Sequence, residues 1–269
     1  SGNFLGTKIN AIAINSNGEI QTGWSAEGVG LCDYSSDQYI ESVSKTPHGI
    51  LLTFRDNRSG SNDIYAQLIS FSGDIIFDST GLNIVDAEND QESSSLAFSE
   101  NDDTALICWE DFRLGTEYDL YCKYISFELM DGNDDYQLSS EIELAGQNNT
   151  SGGNQTNPFV YATNYNTFLI AWEDSRDDVY TDIYFQELAD CGNILDDGGS
   201  VLCEADFDQL KPKINLHNEL SQAYIIYWDD MRSSGKEFLN NIFTQSYTSQ
   251  GADCSDALAG DVNQDNFLD

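Results

Sequence analysis

Four five-residue apolar runs, each closed by an aromatic residue, set the rhythm of this chain: residues 50–54, 105–109, 168–172 and 224–228. The same polar code follows every run. Aromatic-x-Asp-x-Arg recurs four times, placing Asp56 with Arg58, Asp111 with Arg113, Asp174 with Arg176 and Asp230 with Arg232. A second element comes next in each unit, as Asp63-Ile64-Tyr65-Ala66-Gln67, Asp119-Leu120-Tyr121, Asp182-Ile183-Tyr184-Phe185-Gln186 and a looser Asn241-Ile242-Phe243-Thr244-Gln245. Every unit opens on a glutamine, Gln38, Gln91, Gln155 or Gln209, spaced 53, 64 and 54 residues apart. The last two continue as Gln-x-x-Pro to Pro158 and Pro212.

These runs are too short for helices and are punctuated by Gly, Asn, Asp and Ser, which predicts strands and turns. In the first unit the pattern predicts strands near 38–45, 49–55, 63–71 and 74–85, with Ser72-Gly73-Asp74 as the third turn. Continuous apolar character in the second strand predicts burial on both faces, as in a small sheet stacked between two neighbours. That is the pattern of a β-propeller blade, and the expected fold is all-β. Residues 9–32 match the second half of a unit, whereas the last unit begins at Gln209 and fades after Gly251. A ring closed by its N-terminal strand follows, with residues 20–31 expected in one sheet with 242–248. Four blades are favoured. Five also fit, because residues 9–14 resemble a third strand for which a four-bladed ring has no vacancy. The expected boundaries are 1–255 for the propeller and 256–269 for a linker and tail.

The six cysteines suit this alignment. Cys32 and Cys203 each stand six residues before a unit's opening glutamine, and Cys191 and Cys254 each follow a third strand. Pairing Cys191 with Cys203 inside a blade makes Cys32 with Cys254 the equivalent pair in the closing blade. Cys108 and Cys122 fall on adjacent strands, beside Trp109 and Tyr121, and can face each other. Three disulfides imply an oxidising, extracellular compartment. The isolated His48 and His217 and the absence of Cys-x-x-Cys argue against zinc.

All five arginines, at 55, 58, 113, 176 and 232, lie in the repeated motif. Asp at i and Arg at i+2 leave a strand on one side, so the carboxylate can hold the turn while the guanidinium bridges to the next unit. A structural staple is the expectation; the other reading is a ring of Asp/Arg sites for anionic or sugar ligands. Trp109, Trp172 and Trp228 are expected between blades, and Trp24 falls outside the repeat.

Composition narrows the partners. There are 47 Asp and Glu against 11 Lys and Arg, a net charge of −36, so nucleic acid is excluded and an anionic membrane surface is disfavoured, while Ca²⁺ is favoured. With 14 Tyr, 14 Phe and 4 Trp the chain can build a core, and no apolar run approaches the length of a membrane span. No signal peptide opens at Ser1, so an exported protein is expected here in its mature form.

With those residues in view, the aromatic-x-Asp-x-Arg…Asp-Ile-Tyr-x-Gln unit resembles the propeller-like repeats of secreted bacterial proteins, and its Asp-Ile-Tyr part resembles the TolB-type repeat. The resemblance covers roughly residues 8–250 and implies architecture more than activity. The tail resembles the first calcium loop of a dockerin-type domain. It implies Ca²⁺ ligands at Asp261, Asn263, Asp265, the Phe267 carbonyl and Asp269. The loop lacks the carboxylate at position 12, and Asn266 replaces the usual glycine, which points to a longer natural protein.

The leading expectation is a non-catalytic, calcium-associated extracellular propeller that binds a protein or glycan partner or self-assembles into an oligomer or surface filament. The alternative is a carbohydrate-active hydrolase with Asp/Glu pairs near the ring axis. Ser-x-Asp-x-Gly-x-x-Trp and Gly-x-Ser-x-Gly are both absent, the nearest string to the second being Gly23-Trp24-Ser25-Ala26-Glu27. Sequons at Asn57, Asn148, Asn149 and Asn154 carry little weight for a bacterial protein.

Overall fold

A computed structural model describes residues 6–127, 136–144, 152–176, 180–189, 198–218, 223–232 and 241–248. Among them there is no helix: the protein is all-β. Two short strands come first, β1 (Asn10–Ala11) and β2 (Val29–Gly30), paired with each other. The first unit holds β3 (Gln38–Thr46), β4 (Gly49–Asp56), β5 (Asp63–Ile69) and β6 (Leu82–Val85). The second holds β7 (Gln91–Ser99), β8 (Thr104–Asp111) and β9 (Asp119–Ser126), with β10 (Gln137–Leu138) and β11 (Ile142–Glu143) both on the outer edge of β9. The third holds β12 (Gln155–Ala162), β13 (Thr167–Asp174), β14 (Asp182–Ala189) and β15 (Ser200–Cys203). The fourth holds β16 (Gln209–Asn218), β17 (Ala223–Asp230) and β18 (Asn241–Thr248). Within each sheet the strands are antiparallel and follow chain order.

Sheets of this size cannot bury both faces alone, so they stack. The apolar second strands β8 and β13 are buried along their whole length. Unit 1 packs on unit 2 through Leu51, Ile64, Leu96 and Ile107, unit 2 on unit 3 through Leu106, Val160 and Ile170, and unit 3 on unit 4 through Leu169, Ile214 and Ile226. Glycine is required where a fourth strand crosses the motif aromatic. A Cβ on Gly81 (φ +85°) would come within 2.8 Å of Phe54, and one on Gly199 (φ +75°) would collide with Trp172.

The N-terminal segment departs from expectation. Among the described residues β2 pairs with β1 and not with β18, so no sheet closes a ring there. Ile9, Leu31 and Cys32 instead bury themselves against Leu52, Phe54, Tyr65 and Ile69 of unit 1. The reason is visible in one repeated bond. The opening glutamine N–H donates to the residue just before the preceding unit's third strand: Gln91 to Asn62 O, Gln155 to Tyr118 O and Gln209 to Thr181 O, at 2.7–2.8 Å. Gln38 N donates to Thr7 O in the same way, at 3.0 Å. Residues 7–31 therefore stand where the third and fourth strands of a unit preceding unit 1 belong.

Candidate active site

Two sets of polar residues recur at fixed positions in the units. The first is the Asp/Arg motif. Asp56, Asp111, Asp174 and Asp230 are fully buried, and an ionised carboxylate can stay there only if paired and hydrogen-bonded. Each accepts from the arginine two residues on, at 2.5–2.7 Å, and from that residue's backbone N–H, at 2.8–2.9 Å. Trp109, Trp172 and Trp228 donate their indole N–H to the same carboxylates, at 2.9–3.0 Å. The guanidiniums of Arg58, Arg113 and Arg176 then fold back over their own units, and Arg58 and Arg232 also donate to the Cys32 and Cys203 sulfurs of the preceding segment and unit. Arg58, Arg113 and Arg176 lie over Tyr65, Tyr121 and Tyr184 of the third strand, and Arg58 and Arg176 also donate to Thr80 O and Gly198 O. For Arg58, Arg113 and Arg176 the expected bridge to the next unit is thus corrected: the third-strand tyrosine offers an aromatic face inside the same sheet.

The second set occupies the variable position inside that motif: Arg55, Glu110, Glu173 and Asp229. Arg55 lines a cavity of about 340 Å³ together with first-strand residues of the four units, among them Glu41, Ser93, Asn157, Lys211 and Lys213, while Glu110 and Glu173 reach those strands through the backbone of Asn157 and Lys211. Each of the first strands β7, β12 and β16 bulges just after its opening glutamine. The bulge leaves Ser93, Asn157 and Lys211 at φ +55°, +51° and +56°, a left-handed backbone that non-glycine residues adopt at a cost. A carboxylate from the preceding unit holds each bulge. Glu110 accepts from Asn157 N and Glu173 from Lys211 N, both at 2.7 Å. In unit 1 an arginine fills the carboxylate's place, and Glu41 reaches across to take Ser93 N (3.1 Å) and Ser94 N (2.6 Å).

Arg55 has a different task. It pairs with Glu92 at 3.0 Å and approaches Glu41 at 3.9 Å. Glu92 also accepts from the Tyr118 hydroxyl, at 3.2 Å, and it stands directly opposite Glu110 in the β7–β8 register. Burial pushes the Glu110 carboxyl up to about 7; the Asn157 N–H and the Ser93 hydroxyl oppose the rise, and Glu92 and Glu173 add to it. Burial raises Glu41 too, against the pull of Ser94, Ser93 and Arg55. The Tyr118 phenol is pushed up to about 12 by burial and by Glu92, so it remains a donor. Next to the cavity-lining Arg55 and Asn157, a carboxyl raised to about 7 therefore stands across the strand pair from a partly exposed carboxyl that is paired to Arg55.

Glu41, Glu92 and Glu110 were not singled out by the sequence; the only signal was the variable motif position, which is acidic in three units of four. Of the residues that were, Cys108 and Cys122 form a disulfide between paired strands. Cys32 and Cys203 are buried near Arg58 and Arg232, while their expected partners Cys254 and Cys191 lie outside the described residues. So do all five tail positions, Asp261, Asn263, Asp265, Phe267 and Asp269. Among the described residues no cluster of three or more His, Cys, Asp or Glu is arranged to hold a metal. Trp24 donates to Phe71 O at 3.1 Å and covers Gly73.

No family model matches the chain, and no curated protein does. Among solved structures the chain is similar to an endo-arabinase from Bacteroides thetaiotaomicron, with 14% identity and TM-score 0.44 over 81% of this chain and 76% of that one. It is similar also to an α-L-arabinanase from Penicillium chrysogenum complexed with arabinobiose, with 14% identity and TM-score 0.49 over 91% and 68%. A third is the GH93 α-L-arabinofuranosidase of Fusarium graminearum with arabinobiose, with 12% identity and TM-score 0.46 over 91% and 67%. The solved structures that the chain is similar to are an endo-arabinase, an arabinanase and an arabinofuranosidase, against the leading expectation of a non-catalytic scaffold or binding module. Likeness at this level is one of general fold and assigns no activity to the chain.

Proposed function

We propose that the chain is a carbohydrate-active hydrolase of propeller type, with five unit positions around the axis and Glu92 and Glu110 as its reacting pair. One observation carries this reading: Glu110, raised to about 7 by burial, faces a second carboxylate that is ion-paired to Arg55, beside a cavity of sugar-sized volume. A carboxyl raised by burial beside a second one held by an arginine can divide the labour of acid and base. Glu110 donates its proton to the glycosidic oxygen as the bond breaks. Glu92 attacks the anomeric carbon, and Glu110, now ionised, takes a proton from the water that releases the sugar. Directly opposed residues on antiparallel strands have Cβ atoms about 4.5–5.5 Å apart, which suits the roughly 5–5.5 Å between the carboxyls of enzymes that retain anomeric configuration. Arg55, Lys211 and Lys213 offer donors to sugar hydroxyls around the cavity.

The secreted setting, a glycan as partner, the TolB-like repeat and Ca²⁺ at the dockerin-like tail belong to the same proposal and rest on sequence alone. Melting in millimolar Ca²⁺ against Na⁺ of equal ionic strength tests the metal. The activity is tested by digesting a panel of polysaccharides, arabinan included, and measuring reducing ends. Release by the parent and its loss in Glu92→Gln support the reading; no release from any member of the panel contradicts it.

A further inference from the structure

A staple shared by every unit calls for the same residue in each, whereas a ligand site calls for residues that break the repeat. Three breaks put a cation where the other units have none. Arg55 stands at the motif position that is Glu110, Glu173 and Asp229 in units 2, 3 and 4. Lys211 sits at the bulge occupied by Ser93 and Asn157 in units 2 and 3. Lys213 faces Tyr227 in the register and takes the place of Ser42, Ser95 and Phe159, which face Thr53, Cys108 and Ala171. All three cations line the cavity of about 340 Å³. The one acid in its lining is Glu41, whose two oxygens are taken by the Ser93 and Ser94 N–H groups. Elsewhere the balance is the reverse, with 47 acids in the chain against 11 cations. Four of the 11 are motif arginines held by buried aspartates, so seven remain, and three of the seven meet here.

We propose that Arg55, Lys211 and Lys213 make this cavity a seat for an acidic sugar, one that carries a carboxylate or a sulfate ester. That the ligand is a glycan rests on the hydrolase reading; that it is an anion does not. A chain at −36 repels anions from its surface as a whole, so an anion is held where positive groups outnumber negative ones locally. The three cations differ in how far they are already engaged. Arg55 donates to Glu92 at 3.0 Å. A guanidinium has five N–H donors in a planar fork, so that contact leaves donors for a second oxyanion. Lys211 reaches Asp229 at 3.3 Å from an exposed position, a weak pair that an incoming anion can exchange. Lys213 Nζ lies over the Phe159 ring, 4.5 Å from its centroid, and makes no ion pair among the described residues. Because Arg55 also holds Glu92, an acidic sugar bound to it is placed next to the proposed reacting pair.

The test uses the full chain carrying Glu110→Gln, so that binding is read without turnover; the glutamine keeps an acceptor for the Asn157 N–H. Two matched pairs of oligosaccharides serve as probes. One is an oligouronate and the same chain with its carboxyl groups reduced to alcohols, and the other a sulfated oligosaccharide and its desulfated form. Titration calorimetry is expected to show at least one acidic member binding roughly tenfold tighter than its neutral partner, and the pair that does so identifies the anion. The preference is expected to shrink in about 0.5 M NaCl. It is expected to fall severalfold in Lys213→Gln and in Lys211→Gln, both at exposed positions where the core is untouched. Lys45→Gln makes the same charge change at an exposed site on β3 outside the cavity lining, and is expected to keep the preference. Equal affinity for acidic and neutral members, no binding of any probe, or a loss in Lys45→Gln as large as in Lys213→Gln overturns the proposal. Release of reducing ends from neutral glycans by a protein without acid preference would overturn it and leave the hydrolase reading standing. Acid-selective binding with no release from any polysaccharide would do the reverse.

Discussion

Glu92 and Glu110 stand opposite each other on paired strands, yet they are held in contrary ways. Arg55 and the Tyr118 hydroxyl grip Glu92, whereas Glu110 is buried against a backbone N–H and keeps a proton up to about pH 7. Because the two belong to one cross-strand pair, no loop movement is needed to assemble them. The first consequence is stereochemical. Early products, followed by proton NMR before mutarotation, are expected to keep the anomeric configuration of the substrate; inverted products would break the assignment of Glu92 as nucleophile.

The buried motif carboxylates should dominate stability. Asp111→Ala leaves the Arg113 guanidinium and the Trp109 indole N–H without their shared acceptor, and breaking a buried pair from one side costs about 3–5 kcal/mol. Denaturant unfolding should show a loss of that size for Asp111→Ala and a smaller one for Asp111→Asn. Equal, sub-kilocalorie losses would mean that the motif is not a staple.

A second row of acids sets a pH dependence. Asp63 and Asp119 stand opposite Asp56 and Asp111 in the register, and burial, then neighbouring acids, pushes both up to about 6. In unit 4 the chain has Asn241 at this place, opposite Asp230. The folded protein holds extra protons between about pH 4 and 6, so these groups make stability fall as pH rises through that window. Asp56 and Asp230, held low by hydrogen bonds from their arginines, act in the other sense and withdraw stability only as the solution turns strongly acid. Asp63→Asn should therefore gain relative to the parent on going from pH 4 to pH 7, by on the order of 1 kcal/mol. A parent-minus-variant difference that is flat with pH would refute the shift.

Much of the fold could be read from the chain because each unit repeats its instructions. The first three strands begin at the glutamine, the apolar run and the Asp-Ile-Tyr element, where the pattern put them. Residues 9–32 were harder: their apolar spacing suits a strand of the last unit as well as half a unit before the first. What decides is tertiary, the bond from Gln38 to Thr7 and the fit of Ile9 and Leu31 onto Phe54. The site was hidden for a related reason. With 47 acids in the chain, a pair of carboxylates means nothing until register and burial single out Glu92 and Glu110.

The disulfide offers a separate check on the strand register. Cys108 and Cys122 close a short loop, 14 residues apart, worth about 3 kcal/mol in the chain-entropy account. Reductant, or the double substitution to Ala, should lower stability by up to that amount. Peptide mapping under non-reducing conditions should recover the two strands as one fragment, and any other partner for Cys108 would refute the alignment of β8 with β9.

The most direct test of the proposed Glu92–Glu110 chemistry is the pH dependence of kcat/KM for glycan hydrolysis in the parent and in Glu110→Gln. The parent is expected to lose activity on the alkaline side with a midpoint near 7, as Glu110 gives up its proton. The variant is expected to be slower by about 10²–10⁴ and to lack that alkaline limb. A Glu110→Gln protein as active as the parent, with the same alkaline limb, would contradict the account.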